Sequence, residues 1–137
     1  MQNRRSFIQK MAAGAAAATL LPLSGAASTG KVSLTGTLAH HVFFWLKEPQ
    51  NQAVRKRFEA ALRQLLKVKT IRLSHIGIPA STENRDVVDH SYTYSYLVFF
   101  DSKEDQESYQ VDPLHQKFVE ENSQLWSKVV VYDSIDI

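Results

Sequence analysis

The sequence predicts an α+β fold, a four-stranded antiparallel sheet with two helices on one face. Three observations carry that expectation. Apolar runs and amphipathic stretches follow one another as strand, helix, strand, strand, helix, strand between residues 37 and 135. The first and third strands are apolar on both faces, as strands covered on both sides are. The second helical stretch is interrupted by Asp112-Pro113, which ends one helix and starts another. That element order is the ferredoxin-like βαββαβ arrangement.

Each element has its own warrant. Residues 37–47 form a strand through Leu38, Val42, Phe43, Phe44, Trp45 and Leu46, and Glu48-Pro49-Gln50-Asn51 turns the chain. Residues 52–69 form a helix, with Val54, Phe58, Ala61, Leu62 and Leu65 on one stripe and Arg55, Lys56, Arg63 and Lys67 largely off it. Residues 71–78 read as a second strand closed by Pro79, followed by a polar loop over 80–91. Residues 92–100 alternate: Tyr92, Tyr94, Tyr96, Val98 and Phe100 share one face, Thr93, Ser95, Leu97 and Phe99 the other. Asp101-Ser102-Lys103-Glu104-Asp105 carries overlapping capping boxes and opens the broken helix, which runs to about Trp126. Residues 128–135, with Val129, Val130, Val131 and Tyr132 in a row, close the sheet.

Two helices cover only one face of such a sheet. The other is also apolar and is assigned Val42, Phe44, Leu97 and Phe99. An uncovered patch of that kind marks an interaction surface, and the simplest cover is a second copy, giving a homodimer packed sheet to sheet.

The first 27 residues have a different composition. Arg4-Arg5 with Phe7 precedes a short, alanine-rich apolar run over residues 11–23 and the small residues Ser24-Gly25-Ala26-Ala27. This pattern is that of a twin-arginine export signal, cut after Ala26 or Ala27, so the domain is expected to fold in the cytoplasm and work in the periplasm. The apolar run is short for a bilayer span, so membrane contact is expected only through an uncleaved signal. Residues 28–36 then form a flexible leader, and residues 37–137 the domain.

Composition excludes several functions. Three of the 16 basic side chains lie in the first ten residues, leaving 13 against 14 acidic ones, so no nucleic-acid footprint exists. The chain contains no cysteine, hence no disulfide framework and no thiol nucleophile. Phosphate-binding glycine loops and a serine nucleophile elbow are absent from the sequence. His40 and His41 are adjacent on a strand and point to opposite faces, so they do not share an ion; no metal and no cofactor is expected.

The chemistry-bearing stretch is Ser108-Tyr109-Gln110-Val111-Asp112-Pro113-Leu114-His115. Tyr109 falls on the last turn before the helix break and His115 in the first turn after it. An imidazole near neutral pH can remove a proton beside a carbonyl while a phenol steadies the enolate, which makes Tyr109 and His115 the candidate catalytic pair. A ligand cavity is assigned the aromatic lining His41, Phe43, Trp45, Tyr94 and Tyr96. The same residues can equally serve as a half-buried capping histidine and a packed core.

With these residues in place, the chain resembles the stress-responsive α/β-barrel (Dabb) family over residues 38–136. The resemblance rests on His41-Val42-Phe43-Phe44-Trp45-Leu46-Lys47, on Gly77, on Phe99-Phe100-Asp101-Ser102 leading to Tyr109 and Asp112-Pro113-Leu114-His115, and on Val131-Tyr132-Asp133. It implies a dimeric α+β barrel. An enzymatic relative, a plant polyketide cyclase, works by metal-free acid–base chemistry, and its tyrosine and histidine match Tyr109 and His115. A further site histidine of that relative is matched to His41, and a fourth position falls on Tyr94. The family's usual His-Pro-x-His is Asp112-Pro113-Leu114-His115 here. Three functions stay open: an exported domain binding a small apolar or aromatic molecule, a cofactor-independent acid–base enzyme, and a structural or stress-protective oligomer.

Overall fold

A computed structural model of the chain describes residues 30–137. The element order is β1 (Leu38–Leu46), α1 (Gln52–Leu65), β2 (Leu73–Gly77), β3 (Tyr94–Phe100), α2 (Lys103–Val111), α3 (Pro113–Asn122) and β4 (Trp126–Ile135), with one 3-10 turn, Ser123–Leu125, before β4. The sheet runs β2-β3-β1-β4 and every pairing is antiparallel. This is the expected ferredoxin-like topology, its second helix divided in two at the proline.

Caps place the helices. Asn51 accepts from the Ala53 and Val54 amides and starts α1. The Ser102 hydroxyl accepts from Asp105 N at 3.1 Å and starts α2. Asp112 ends α2 in an extended conformation, and its carboxylate accepts from Leu114 N at 2.8 Å to start α3. Pro113 sits at the first helical position, where its missing N–H and fixed φ suit the turn. The chain enters β1 through a turn in which Thr37 N donates to Leu34 O at 3.0 Å. Gly36 holds φ of 74° there, a conformation that a side chain would strain.

The helices cover one face of the sheet, and register decides which residues they cover. Val42 stands opposite Tyr96 on β3 and Val131 on β4, and Phe44 opposite Tyr94 and Val129. The covered face is therefore Leu38, His40, Val42, Phe44 and Leu46 of β1 with Tyr94, Tyr96, Val98 and Phe100 of β3, and all of these are buried. Phe58, Leu62 and Leu65 of α1, Tyr109 of α2 and Phe118 of α3 complete this core.

This corrects the interface assigned from the sequence. Val42 and Phe44 are 6 % and 4 % exposed and belong to the core; the Phe44 ring lies 5.1 Å from that of Phe58 and 5.3 Å from that of Trp126. Leu97 and Phe99 do face away from the helices, and their β1 neighbours on that side are His41 and Ala39. Phe43 and Trp45 lie on the same side, by strand alternation. The physical reason is period two: β1 and β3 each carry apolar residues on both faces, and only their mutual register says which sets coincide.

Candidate functional site

The helix break brings the notable side chains together over the sheet. Tyr109, on the last turn of α2, is buried with its ring 5.2 Å from that of Phe100. The His115 ring, from the first turn of α3, lies 4.6 Å from the Tyr109 ring. Its Nδ1–H donates to Gln110 O at 3.1 Å. A carbonyl only accepts, so this bond fixes the proton on Nδ1 and leaves the Nε2 lone pair as a base. Burial lowers the His115 pKa from its ordinary value, with the Gln110 carbonyl partly opposing and His40 adding to the effect. The imidazole is accordingly neutral near pH 7.

The third member of the cluster is His40, which the sequence reading left out. It is 4 % exposed, and its ring lies 5.7 Å from that of Tyr109. Directly opposite it in the ladder is Asp133 of β4, and His40 Nδ1 meets Asp133 Oδ1 at 2.6 Å. The carboxylate, half-exposed at the sheet edge, accepts the Nδ1 proton and holds the ring in one orientation. The sequence did hold a signal: Asp133 is the one acid set among the β4 residues that alternate with Val129 and Val131, on the side of the sheet that faces the helices.

These groups line one cavity of about 230 Å³, bounded by His40, Tyr96, Tyr109 and His115 and walled by Phe118 and Trp126. Val129 and Val131 sit at its margin and stay partly exposed, since β4 is the sheet edge. The cavity thus has an apolar wall with a few convergent polar groups, as small-molecule sites do. Both phenols keep their protons: burial raises the Tyr109 and Tyr96 pKa values well above the ordinary one. The Tyr96 hydroxyl is buried and has no hydrogen-bond partner, although it lies near enough to Tyr109 for each to affect the other's ionisation. A larger hollow of about 420 Å³ lies at the other end, by Arg55 and the loop before β3. Two of its polar side chains are already engaged, Trp45 Nε1 with Ser91 Oγ and His90 Nε2 with Thr82 Oγ1, both at 3.0 Å.

The structure therefore divides the residues singled out by sequence. Tyr96, Tyr109 and His115 share the cavity. His41, Phe43 and Trp45 lie on the opposite face of the sheet, so they do not line it. His41 Nε2 pairs with Ser95 Oγ at 3.0 Å, its ring is 4.1 Å from Phe43, and Lys128 Nζ lies 4.3 Å over Trp45. Burial lowers the His41 pKa, with His75 and His40 contributing. Gly77 leaves room for the His75 imidazole on this face, since a Cβ there would stand 2.8 Å from His75 Cε1. Tyr94 faces the helices but is spent elsewhere: its hydroxyl donates to Glu59 Oε1 at 2.6 Å and Arg55 lies over its ring. Among the described residues, no group of three or more His, Asp or Glu side chains is placed to hold a metal ion.

A split βαββαβ sheet with a helix-side cavity at the proline break defines a ferredoxin-like α+β domain. The model of the stress responsive A/B barrel domain (Dabb) matches residues 38–136, and the chain belongs to that family. Solved structures agree on the fold. A Dabb family protein of Mesorhizobium loti with a ferredoxin-like fold is 20% identical, with 75% of this chain and 99% of that one aligned at a TM-score of 0.62. A dimeric ferredoxin-like protein of unknown function from Thermobifida fusca is 12% identical over 77% of this chain and 96% of its own, at 0.61. The hydroxynitrile lyase of Passiflora edulis is 21% identical over 74% and 94%, at 0.63. A comparison with curated proteins found no match.

Proposed function

We propose that this protein binds a small, largely apolar or aromatic molecule in the cavity between α3 and the sheet. The observation that carries this is the convergence of His40, Tyr96, Tyr109 and His115 on an otherwise aromatic and aliphatic wall. Mass spectrometry of small molecules extracted from the purified domain tests it. Filling the cavity mouth with Val131→Trp should release the bound molecule; retention of the same molecule by that variant would contradict the proposal.

A second reading, acid–base catalysis, is favoured by one specific contact. The His40–Asp133 pair orients one imidazole, and a free Nε2 belongs to the neighbouring His115. A base of this kind beside a protonated phenol can take a proton from a carbon or hydroxyl next to a carbonyl. One member of the fold, the passion-fruit enzyme, is a lyase, which shows that the scaffold can hold an active site. His40→Ala or His115→Ala should then abolish turnover of a carbonyl substrate while the domain stays folded; turnover unchanged in both variants would sink it.

The face carrying Leu73, Leu97, Phe99 and Phe43 is left uncovered by the helices, and a second copy is its proposed cover. Support comes from two ferredoxin-like relatives of the same fold that are described as dimeric. Residues 1–29 lie outside the described residues; Arg4-Arg5 and the alanine-rich run that follows support twin-arginine export to the periplasm, with residues 1–27 as signal, 28–36 as leader and 37–137 as domain. Changing both arginines to lysine should leave the precursor in the cytoplasm, and normal processing of that variant would contradict the assignment.

A further inference from the structure

The Tyr96 hydroxyl is the one feature of the cavity that packing and local bonding leave unexplained. Tyr96 is 1 % exposed, and its Oη has no hydrogen-bond partner. Buried hydroxyls are nearly always paired, because an unpaired one forfeits its bonds to water and gains nothing in return. A phenylalanine at 96 would fill the same space opposite Val42 and Ile76 without that cost. The hydroxyl thus lowers stability unless a further group bonds to it.

Its surroundings show what would satisfy it. Tyr96 lines the cavity with Tyr109, and the two hydroxyls lie near enough for each to act on the other's ionisation. Burial keeps both phenols protonated, Tyr96 more strongly than Tyr109, so both present O–H donors across the physiological range. The His115 imidazole presents a lone pair instead, since its Nδ1–H is engaged with Gln110. The remaining wall includes the rings of Phe44, Phe118 and Trp126, with Phe118 and Trp126 stacked at 22° and 5.9 Å. At about 230 Å³ the space falls below the 300–1,000 Å³ of sites for drug-sized ligands, which leaves room for one substituted ring or a short chain.

We propose that the ligand is seated by an acceptor oxygen placed against the hydroxyls of Tyr96 and Tyr109. The cavity then selects small aromatic or aliphatic carbonyl compounds over hydrocarbons of the same shape. This rests on the reading that the cavity binds a small apolar molecule, and it adds Tyr96 as the residue that sets the ligand's polar end. A site built to bond an oxygen discriminates against the analogue lacking it, because its donors are then left unpaired.

Two probes of matched shape separate the cases. Acetophenone and ethylbenzene are each titrated into the mature domain and followed by NMR shifts of cavity residues. Acetophenone should bind about tenfold tighter. Tyr96→Phe should bring the two close to parity by weakening acetophenone alone, and should raise the melting temperature of the unliganded domain. Tyr109→Phe, read beside it, should reduce the same preference. Equal affinity for both probes in the unmutated domain, or a preference that survives Tyr96→Phe, would overturn the inference and leave the binding reading standing. If neither probe shifts a cavity residue, the binding reading falls and this inference falls with it.

Discussion

The two faces of the sheet are built from the same residue types and do different things. The helix side is closed by α1, α2 and α3 and keeps a cavity where His40, Tyr96, Tyr109 and His115 meet. The far side carries His41, Phe43, Trp45, Leu97 and Phe99, partly exposed and without a helix above them. Adjacent histidines in β1 mark the contrast. His40 is locked by Asp133 inside the site, and His41 pairs with Ser95 outside it. One residue of register separates a site histidine from a surface one, so side-chain identity alone does not assign a role on a strand that is apolar on both faces.

Substituting acids on each face breaks that contrast most severely. Phe44→Asp places an unpaired carboxylate in the core and removes the ring packed on Phe58 and Trp126, at a cost of about 5 kcal/mol or more. That is comparable to the whole stability of a small domain, about 5–15 kcal/mol, so circular dichroism should show an unfolded or aggregated chain. A native spectrum would mean that the covered face has been assigned wrongly.

Leu97→Asp, on the other face, should leave the domain folded, with a stability change of about 1 kcal/mol. Its effect should instead appear in assembly. A buried unpaired carboxylate in a sheet-to-sheet interface should weaken self-association by about 3 kcal/mol, or more than a hundredfold in Kd. Sedimentation equilibrium reads this directly. A variant that associates as tightly as the unmutated domain would show that the far face is not where copies meet.

The smallest effect expected is on pH dependence. Burial lowers the His115 pKa in the folded chain, while in the unfolded chain the imidazole returns to about 6.5. As pH falls below that value the unfolded state takes up the proton first, so stability present above it is lost toward the lower folded pKa. Partial exposure of the ring keeps this contribution small. Melting temperatures between pH 7 and pH 5 should fall less steeply for His115→Gln. His41, also lowered by burial, should contribute a similar slope from the opposite face, which His41→Gln would remove.

The fold could be read because its signals are local. Ser102 and Asp112 announce two helix starts, Pro113 divides the last helix, and alternation marks β3. The boundaries moved where tertiary pairing decided them: Trp126 opens β4 rather than closing the helix, and β2 shortens to Leu73–Gly77. Tyr109 and His115 could be found from sequence because one proline break sets both. His40 could not be chosen over His41 in the same way. Its partner Asp133 is 93 residues away, and the pairing exists only through the β1–β4 ladder. The aromatic lining was divided for the same reason, since Tyr96 and Phe43 are equally apolar but face opposite ways. The unpaired Tyr96 hydroxyl is invisible until the packing around it is known.

His40, not its neighbour His41, stands with His115 and Tyr109 around the cavity. Imidazole resonances of the 15N-labelled domain, followed during an acetophenone titration, test it most directly. His40 and His115 should shift in step with occupancy while His41 and His75 stay where they are. Shifts at His41 with His40 unmoved would place the ligand on the far face and contradict the account.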